Sequence, residues 1–176
     1  MNKFSNVSLE RLKTVHPHLR AVFELGLVYS IVDFGIDETD RTPEHQSELL
    51  AEGRTTILDS NHIPGKNGFA QAGDVHAWVK GAVNWEFPYY ADIATGIRRA
   101  AQELGVKVRW GGLWDEVLNQ VEGSLLEAHL GYVEKYKRLK KGKKPLIDGP
   151  HFELVRSVYP KDKPVEPLNH FVPPGV

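Results

Sequence analysis

Asp148 stands three residues before His151, in a run Asp-Gly-Pro-His-Phe-Glu-Leu that closes at Leu154. Alternation along its second half sets His151 and Glu153 on one face of a strand and Phe152 and Leu154 on the other. A hydrolase that activates water with a metal ion needs such a pair, one residue to hold the ion and one to take the water's proton. Two further segments complete a two-histidine, one-carboxylate set. His62 lies in the loop Ser60-Asn61-His62-Ile63-Pro64-Gly65, and Asp74 lies in Ala72-Gly73-Asp74-Val75-His76-Ala77. Taken singly, each has an ordinary alternative: plain surface for His62, a turn cap or surface carboxylate for Asp74. Together they put three ligand types on three anchored segments, which favours a site.

The elements that must position these groups are legible from spacing. Ser8 can cap a short helix over Leu9 to Val15, and Pro17 opens a second with Leu19, Val22, Phe23 and Leu27 on its buried side. The two helices are expected to form a lid over a sheet. Ile31 to Ile36 reads as a strand. Thr42-Pro43-Glu44 starts a helix that Gly53 stops. From Asp74 to Lys80, Asp74, His76 and Trp78 share one face while Val75, Ala77 and Val79 take the other. Gly81 turns the chain into Ala82 to Trp85. Ile93, Ile97, Ala100, Ala101 and Leu104 keep helical spacing up to Gly105, and Val106 to Trp110 resumes as a strand. Residues Glu116 to Lys141 read as a long amphipathic segment ending in the basic run Lys135 to Lys144, and Lys161 to Val176 as a proline-rich extended tail. Short strands interleaved with helices, including a hairpin, give an α+β class with a small antiparallel sheet.

With 176 residues and 41% hydrophobic content, one domain over residues 1–176 is the expectation. A net charge of -1 gives no global field for nucleic acid, so the Lys135 to Lys144 run alone does not make a nucleic-acid binder. The chain has no cysteine, so a zinc site must be built from histidine and carboxylate. No stretch is apolar enough for a signal peptide or a membrane span, which leads to the expectation of a protein held in the cytoplasm until something releases it.

A set of motifs then appears in order. It comprises Ser8-Leu9-x-x-Leu12-x-x-Val15-His16-Pro17-x-Leu19, Asp40-Arg41-Thr42-Pro43-x-x-Gln46-x-x-Leu49-x-x-x-Gly53, Ser60-x-His62-x-x-Gly65, Trp110-Gly111-Gly112-x-Trp114 and Asp148-x-Pro150-His151-Phe152-Glu153-Leu154. From about Ser5 to Val158 the chain resembles the phage endolysin branch of the zinc D-Ala-D-Ala carboxypeptidase/L-alanyl-D-glutamate peptidase family. The resemblance implies a Hedgehog/D-Ala-D-Ala peptidase-like fold with an inserted helical segment at about 116–146. It also implies Zn2+ held by His62, Asp74 and His151, with Asp148 as catalytic base. Arg41 is then the group that binds substrate and supports the oxyanion, with Gln46 nearby in support as a further substrate-binding residue; Trp110 and Trp114, by their place beside two glycines, are expected to line the cleft and bind substrate. His16, His18, His45, His129 and His170 are expected to be structural or solvent histidines, and the four tryptophans mostly core.

Two departures accompany the resemblance. The family's ligand aspartate usually lies seven residues after the first histidine, where this chain has Phe69; Asp74 follows an apparent insertion around Asn67 to Gln71, and His76 is the rival ligand. The segment from Glu116 to Leu146 replaces a short connection, and reads either as a helical hairpin packed on the domain or as a lid or basic surface meeting cell wall or membrane. Glu153 is the alternative base, or else orients a ligand histidine. Arg41 could instead form a structural salt bridge to Asp37 or Asp40. The implied activity is cleavage of the L-alanyl-D-glutamate bond in the peptidoglycan stem peptide by a monomeric phage or prophage lysis enzyme, released through a membrane pore. The alternatives are a D-Ala-D-Ala carboxypeptidase and a non-catalytic wall-binding module with structural zinc.

Overall fold

The computed structural model describes residues 2–139 and 145–168. Its centre is an antiparallel sheet with strand order β1-β2-β5-β4, where β1 is Asp33–Glu38, β2 Ala72–Val79, β4 Val108–Trp110 and β5 His151–Leu154. The short β3, Ala82–Asn84, returns along β2 through a turn with positive φ at Lys80 and Gly81. β3 and β5 pair with different halves of β2, β5 at residues 72–74 and β3 at residues 77–79.

One face of this sheet is closed. Val75, Ala77, Val108, Trp110, Phe152 and Leu154 project into a core shared with helices α2 (Pro17–Tyr29) and α4 (Phe87–Leu104). The expected apolar set Leu19, Val22, Phe23 and Leu27 is buried as the spacing requires, and Phe23 meets Phe152 edge-on at 6.2 Å. So α2 is a core layer, not a lid. The other face carries the alternating residues Asp74, His76 and Trp78 of β2 and stays open.

Several boundaries move for local reasons. Helix α1 is Asn6–Arg11, capped by Ser5, whose Oγ accepts from Ser8 N at 3.2 Å; Ser8 is buried and its Oγ accepts from Ile36 N at 3.0 Å. Ser8 thus joins the first helix to β1, and is not its cap. β1 begins two residues later than expected, because Ser30 Oγ accepts from Val32 N and donates to Val32 O in a turn that leaves Ile31 exposed. Helix α3, Pro43–Ala51, keeps its expected Thr42 cap and proline start. The long amphipathic segment divides into a 3-10 turn at Leu118–Gln120 and helix α5, Leu125–Leu139, separated by Gly123 at φ 70°. Within α5, Leu125, His129 and Tyr132 are buried, while Leu126 and Leu130 are exposed. Residues 140–144 of the basic run and 169–176 of the tail, His170 among them, lie outside the described residues.

Candidate metal centre

Strand register brings the first two groups together. Asp74 of β2 and His151 of β5 are direct cross-strand partners, so both side chains leave the sheet on its open face, and His151 Nδ1 lies 2.9 Å from Asp74 Oδ1. His62 arrives from a loop pinned by the Gln71 N–H donating to Asn61 O at 2.7 Å and the Arg41 N–H donating to His62 O at 2.9 Å. Its Nε2 lies 3.3 Å from His151 Nδ1 and 3.4 Å from Asp74 Oδ1. Among the described residues these three form the one group that could hold a metal ion.

The spacing can be tested against a small tetrahedral ion. Bonds of about 2.0–2.1 Å meeting at the tetrahedral angle separate ligand atoms by about 3.3 Å. Two of the three distances match, and the third is slightly short because Asp74 and His151 hydrogen-bond directly. The far nitrogens are also engaged. His62 Nδ1 is 2.7 Å from the Thr39 carbonyl, and His151 Nε2 is 3.3 Å from Glu153 Oε2. Each acceptor takes the N–H of one nitrogen and so turns the lone pair of the other inward.

Charge is concentrated here. Burial opposes ionisation of Asp74, but its hydrogen bonds to His151 and His62 outweigh it and hold the carboxyl well below the usual range. Burial likewise opposes charge on His151, yet the carboxylates of Asp74 and Glu153 push its pKa up to about 10. A divalent cation competes with that proton for the same Nδ1. The donor set therefore suits a cation in its chemistry as well as its spacing.

His76, the rival ligand, turns away. Its Nδ1 is 3.5 Å from Asp37 Oδ1, and its ring lies over Gly35, its cross-strand partner. Before Asp74 the chain forms a turn in which Gly68 N donates to Gly65 O, and Phe69 is set against His16. Asp74 keeps its place on the strand.

Asp148 and Arg41 border the cluster. Asp148 is placed by Gly111, since its N–H donates to Gly111 O at 3.0 Å while Gly111 N donates to His151 O at 2.8 Å. Burial raises the Asp148 pKa and the Asp74 charge adds to it, against the pull of His151, His62 and Arg41. Arg41 is held by Glu38, not by Asp37 or Asp40: Nε donates to Glu38 Oε1 at 2.9 Å and Nη2 to Oε2. Nη1 donates to Gln46 Oε1 at 2.7 Å. Three of the five guanidinium N–H groups are thus committed and two remain. The Gln46 amide is buried and engaged at both ends, its Nε2 donating to Ile57 O at 2.7 Å, so Gln46 positions Arg41 and does not face the cleft.

The two tryptophans of the Gly-Gly motif separate. Trp110 is fully buried, its Nε1 donating to Gly149 O at 2.7 Å and its ring stacked near Phe152. It alternates into the core and does not line the cleft. Trp114 does flank the cluster, with its ring centroid 5.2 Å from that of His151.

Behind Glu153, one of whose expected roles was to orient a ligand histidine, runs a polar chain that the motifs do not show. Glu153 Oε2 accepts from Asn61 Nδ2 at 2.8 Å, Asn61 Oδ1 accepts from Arg156 at 2.7 and 3.0 Å, and Arg109 Nη1 lies 3.3 Å from Glu153 Oε1. The one available signal was the position of Asn61 beside His62.

The family model described as phage L-alanyl-D-glutamate peptidase matches residues 1–155. An L-alanyl-D-glutamate peptidase of Escherichia phage T5 is 30% identical over 157 residues, 87% of this chain and 98% of that protein. The crystal structure of the Serratia marcescens L-Ala D-Glu endopeptidase ChiX superposes with a TM-score of 0.66 at 36% identity, covering 90% of this chain and 95% of that one. The chain belongs to the phage L-alanyl-D-glutamate peptidase family.

Proposed function

We propose that this protein is a zinc-dependent endopeptidase that hydrolyses the bond between L-alanine and D-glutamate in the peptidoglycan stem peptide, and that it serves phage or prophage lysis. The observation that carries the reading is the trio His62 Nε2, Asp74 Oδ1 and His151 Nδ1 at 2.9 to 3.4 Å from one another. Those atoms would hold the ion, and the chemistry zinc supplies there is Lewis acidity and a water whose pKa falls toward about 7.

The chain's own residues do the rest. Asp148, kept basic by burial, takes a proton from the attacking water and hands it to the departing amine of D-glutamate. Arg41, locked by Glu38 and Gln46, turns its two remaining N–H groups to the substrate carbonyl as negative charge develops, a donation whose loss typically costs about a hundredfold or more. Thr39 and Glu153 hold the two imidazoles in the tautomers the ion requires. No helix among the described residues is long and apolar enough to cross a membrane. In the lysis role the enzyme reaches the wall from the host cytoplasm through a membrane pore.

Digestion of purified peptidoglycan, with and without chelator, followed by mass analysis of the fragments tests the reading. New L-alanine and D-glutamate ends that vanish with chelator and return with zinc are expected. Free D-alanine would replace the endopeptidase with a carboxypeptidase, and no release at all would leave a wall-binding module.

A further inference from the structure

The open face of β2 continues past the metal cluster. Asp74, His76 and Trp78 follow one another on it, and Trp78, expected in the core, is 46% exposed. Val83 lies directly opposite Trp78 on β3 and is 42% exposed, while Asp33 of β1 is its partner on the other side. An accessible indole therefore ends the track that starts at the ligands, flanked by an aliphatic side chain and a carboxylate. Four residues of strand put its backbone about 13 Å from that of Asp74.

The chemistry of the substrate supplies an occupant. In peptidoglycan, L-alanine is joined through one lactyl group to the muramic acid ring, so the scissile bond is the stem's closest peptide bond to the glycan. Counted along the six bonds of that linkage, the sugar's C3 lies about 7 Å from the carbonyl under attack, with the ring extending outward from there. An enzyme that cuts there must accommodate the sugar. A pyranose has an apolar C–H face that stacks on an indole and hydroxyls that donate to a carboxylate, which matches Trp78 and Asp33 side by side.

We propose that Trp78, with Val83 and Asp33, forms a subsite for the glycan strand of the substrate and makes the enzyme prefer stem peptides still attached to muramic acid. The inference rests on the endopeptidase reading above. Trp78 contributes binding and touches none of the reacting atoms.

The test compares two soluble substrates, a disaccharide–stem-peptide fragment and the same stem peptide carrying an N-acetyl cap in place of the sugar. Wild-type protein is expected to favour the glycan-bearing substrate roughly five- to tenfold in kcat/KM, the worth of one well-placed aromatic contact. Trp78→Ala should erase that preference through KM with kcat unchanged, Trp78→Tyr should retain most of it, and Leu130→Ala, an exposed apolar site on α5, should leave it intact. Equal use of both substrates by wild-type protein, or a preference that survives Trp78→Ala, overturns the subsite alone. Cleavage of neither substrate overturns the endopeptidase reading and the subsite with it.

Discussion

Replacing Glu153 with glutamine separates the two carboxylates that could serve as base. Glu153 Oε2 accepts from His151 Nε2 at 3.3 Å and Asn61 Nδ2 at 2.8 Å, while Oε1 faces Arg109 Nη1 at 3.3 Å. Both oxygens meet only donors. Glutamine keeps the shape, removes the charge, and must turn its NH2 either toward Arg109 or toward the His151–Asn61 pair, so one donor is left facing another. Loss of such a partner to a ligand histidine typically weakens metal binding ten- to a hundredfold. That corresponds to about 1.4–2.7 kcal/mol. We expect Glu153→Gln to raise the zinc Kd by that factor in competition with a chromophoric chelator, with kcat at saturating zinc within a few-fold of wild type. Unchanged zinc affinity together with a hundredfold loss of kcat would refute the reasoning and make Glu153 the base.

Three other outcomes follow from the same geometry. Asp148→Ala should keep the fold and the zinc but lose turnover by about 10²–10⁴-fold, whereas His151→Ala should lose metal and activity together, both measured by metal content alongside fragment release. Gly111→Ala drives a Cβ into Asp148 O and should destabilise by about 1–3 kcal/mol in a thermal melt, while Gly131→Ala, with nothing within 4 Å, should stabilise by up to about 1 kcal/mol. The metal-free protein should lose stability as pH rises from about 6.5, the ordinary histidine value, toward about 10, because folded His151 holds its proton more tightly than the unfolded chain does. Asp74 acts in the opposite sense, its contribution being lost as pH falls through and below the ordinary carboxylate range. Zinc, replacing the His151 proton, should remove the alkaline decline, and melting temperature against pH with and without chelator checks this.

What the sequence made legible was whatever local periodicity or chemistry controls. Alternation placed Asp74, His76 and Trp78 on one face and His151 with Glu153 on another, and the register Asp74 to His151 then joined those faces at one spot. Asp74, although it does not stand seven residues after His62, stayed usable because a strand fixes which face a residue takes, however long the loop before it. Polar support was legible only where it lies within a motif, as with Gln46 for Arg41 and Glu153 for His151. Glu38 holds Arg41 from the strand that pairs with Asp74, and Arg156 reaches Asn61 across 95 positions, so neither partner shares a motif with the group it positions. The tryptophans misled in both directions. Trp110 sits beside two glycines as a cleft residue would, yet those glycines are there for packing, since a Cβ at Gly112 would enter the Trp110 ring at 2.5 Å.

Helix α5 has a role that follows from the same loop. His129 of α5 lies 2.8 Å through Nδ1 from Gly112 O and stacks on Phe87 at 3.8 Å, and Phe87 in turn stacks near Trp110 at 5.7 Å. Tyr132, one turn on, donates to Leu146 O at 3.3 Å, on the strand of chain that leads into Asp148. Helix α5 thus holds both sides of the approach to the base: the Gly-Gly turn that receives Asp148 N–H, and the segment that delivers it. A connection too short to form this helix would have to fix Asp148 by other contacts. In this chain α5 is a buttress for Asp148, and Leu126, Leu130, Lys137 and Arg138 lie exposed on its outer side.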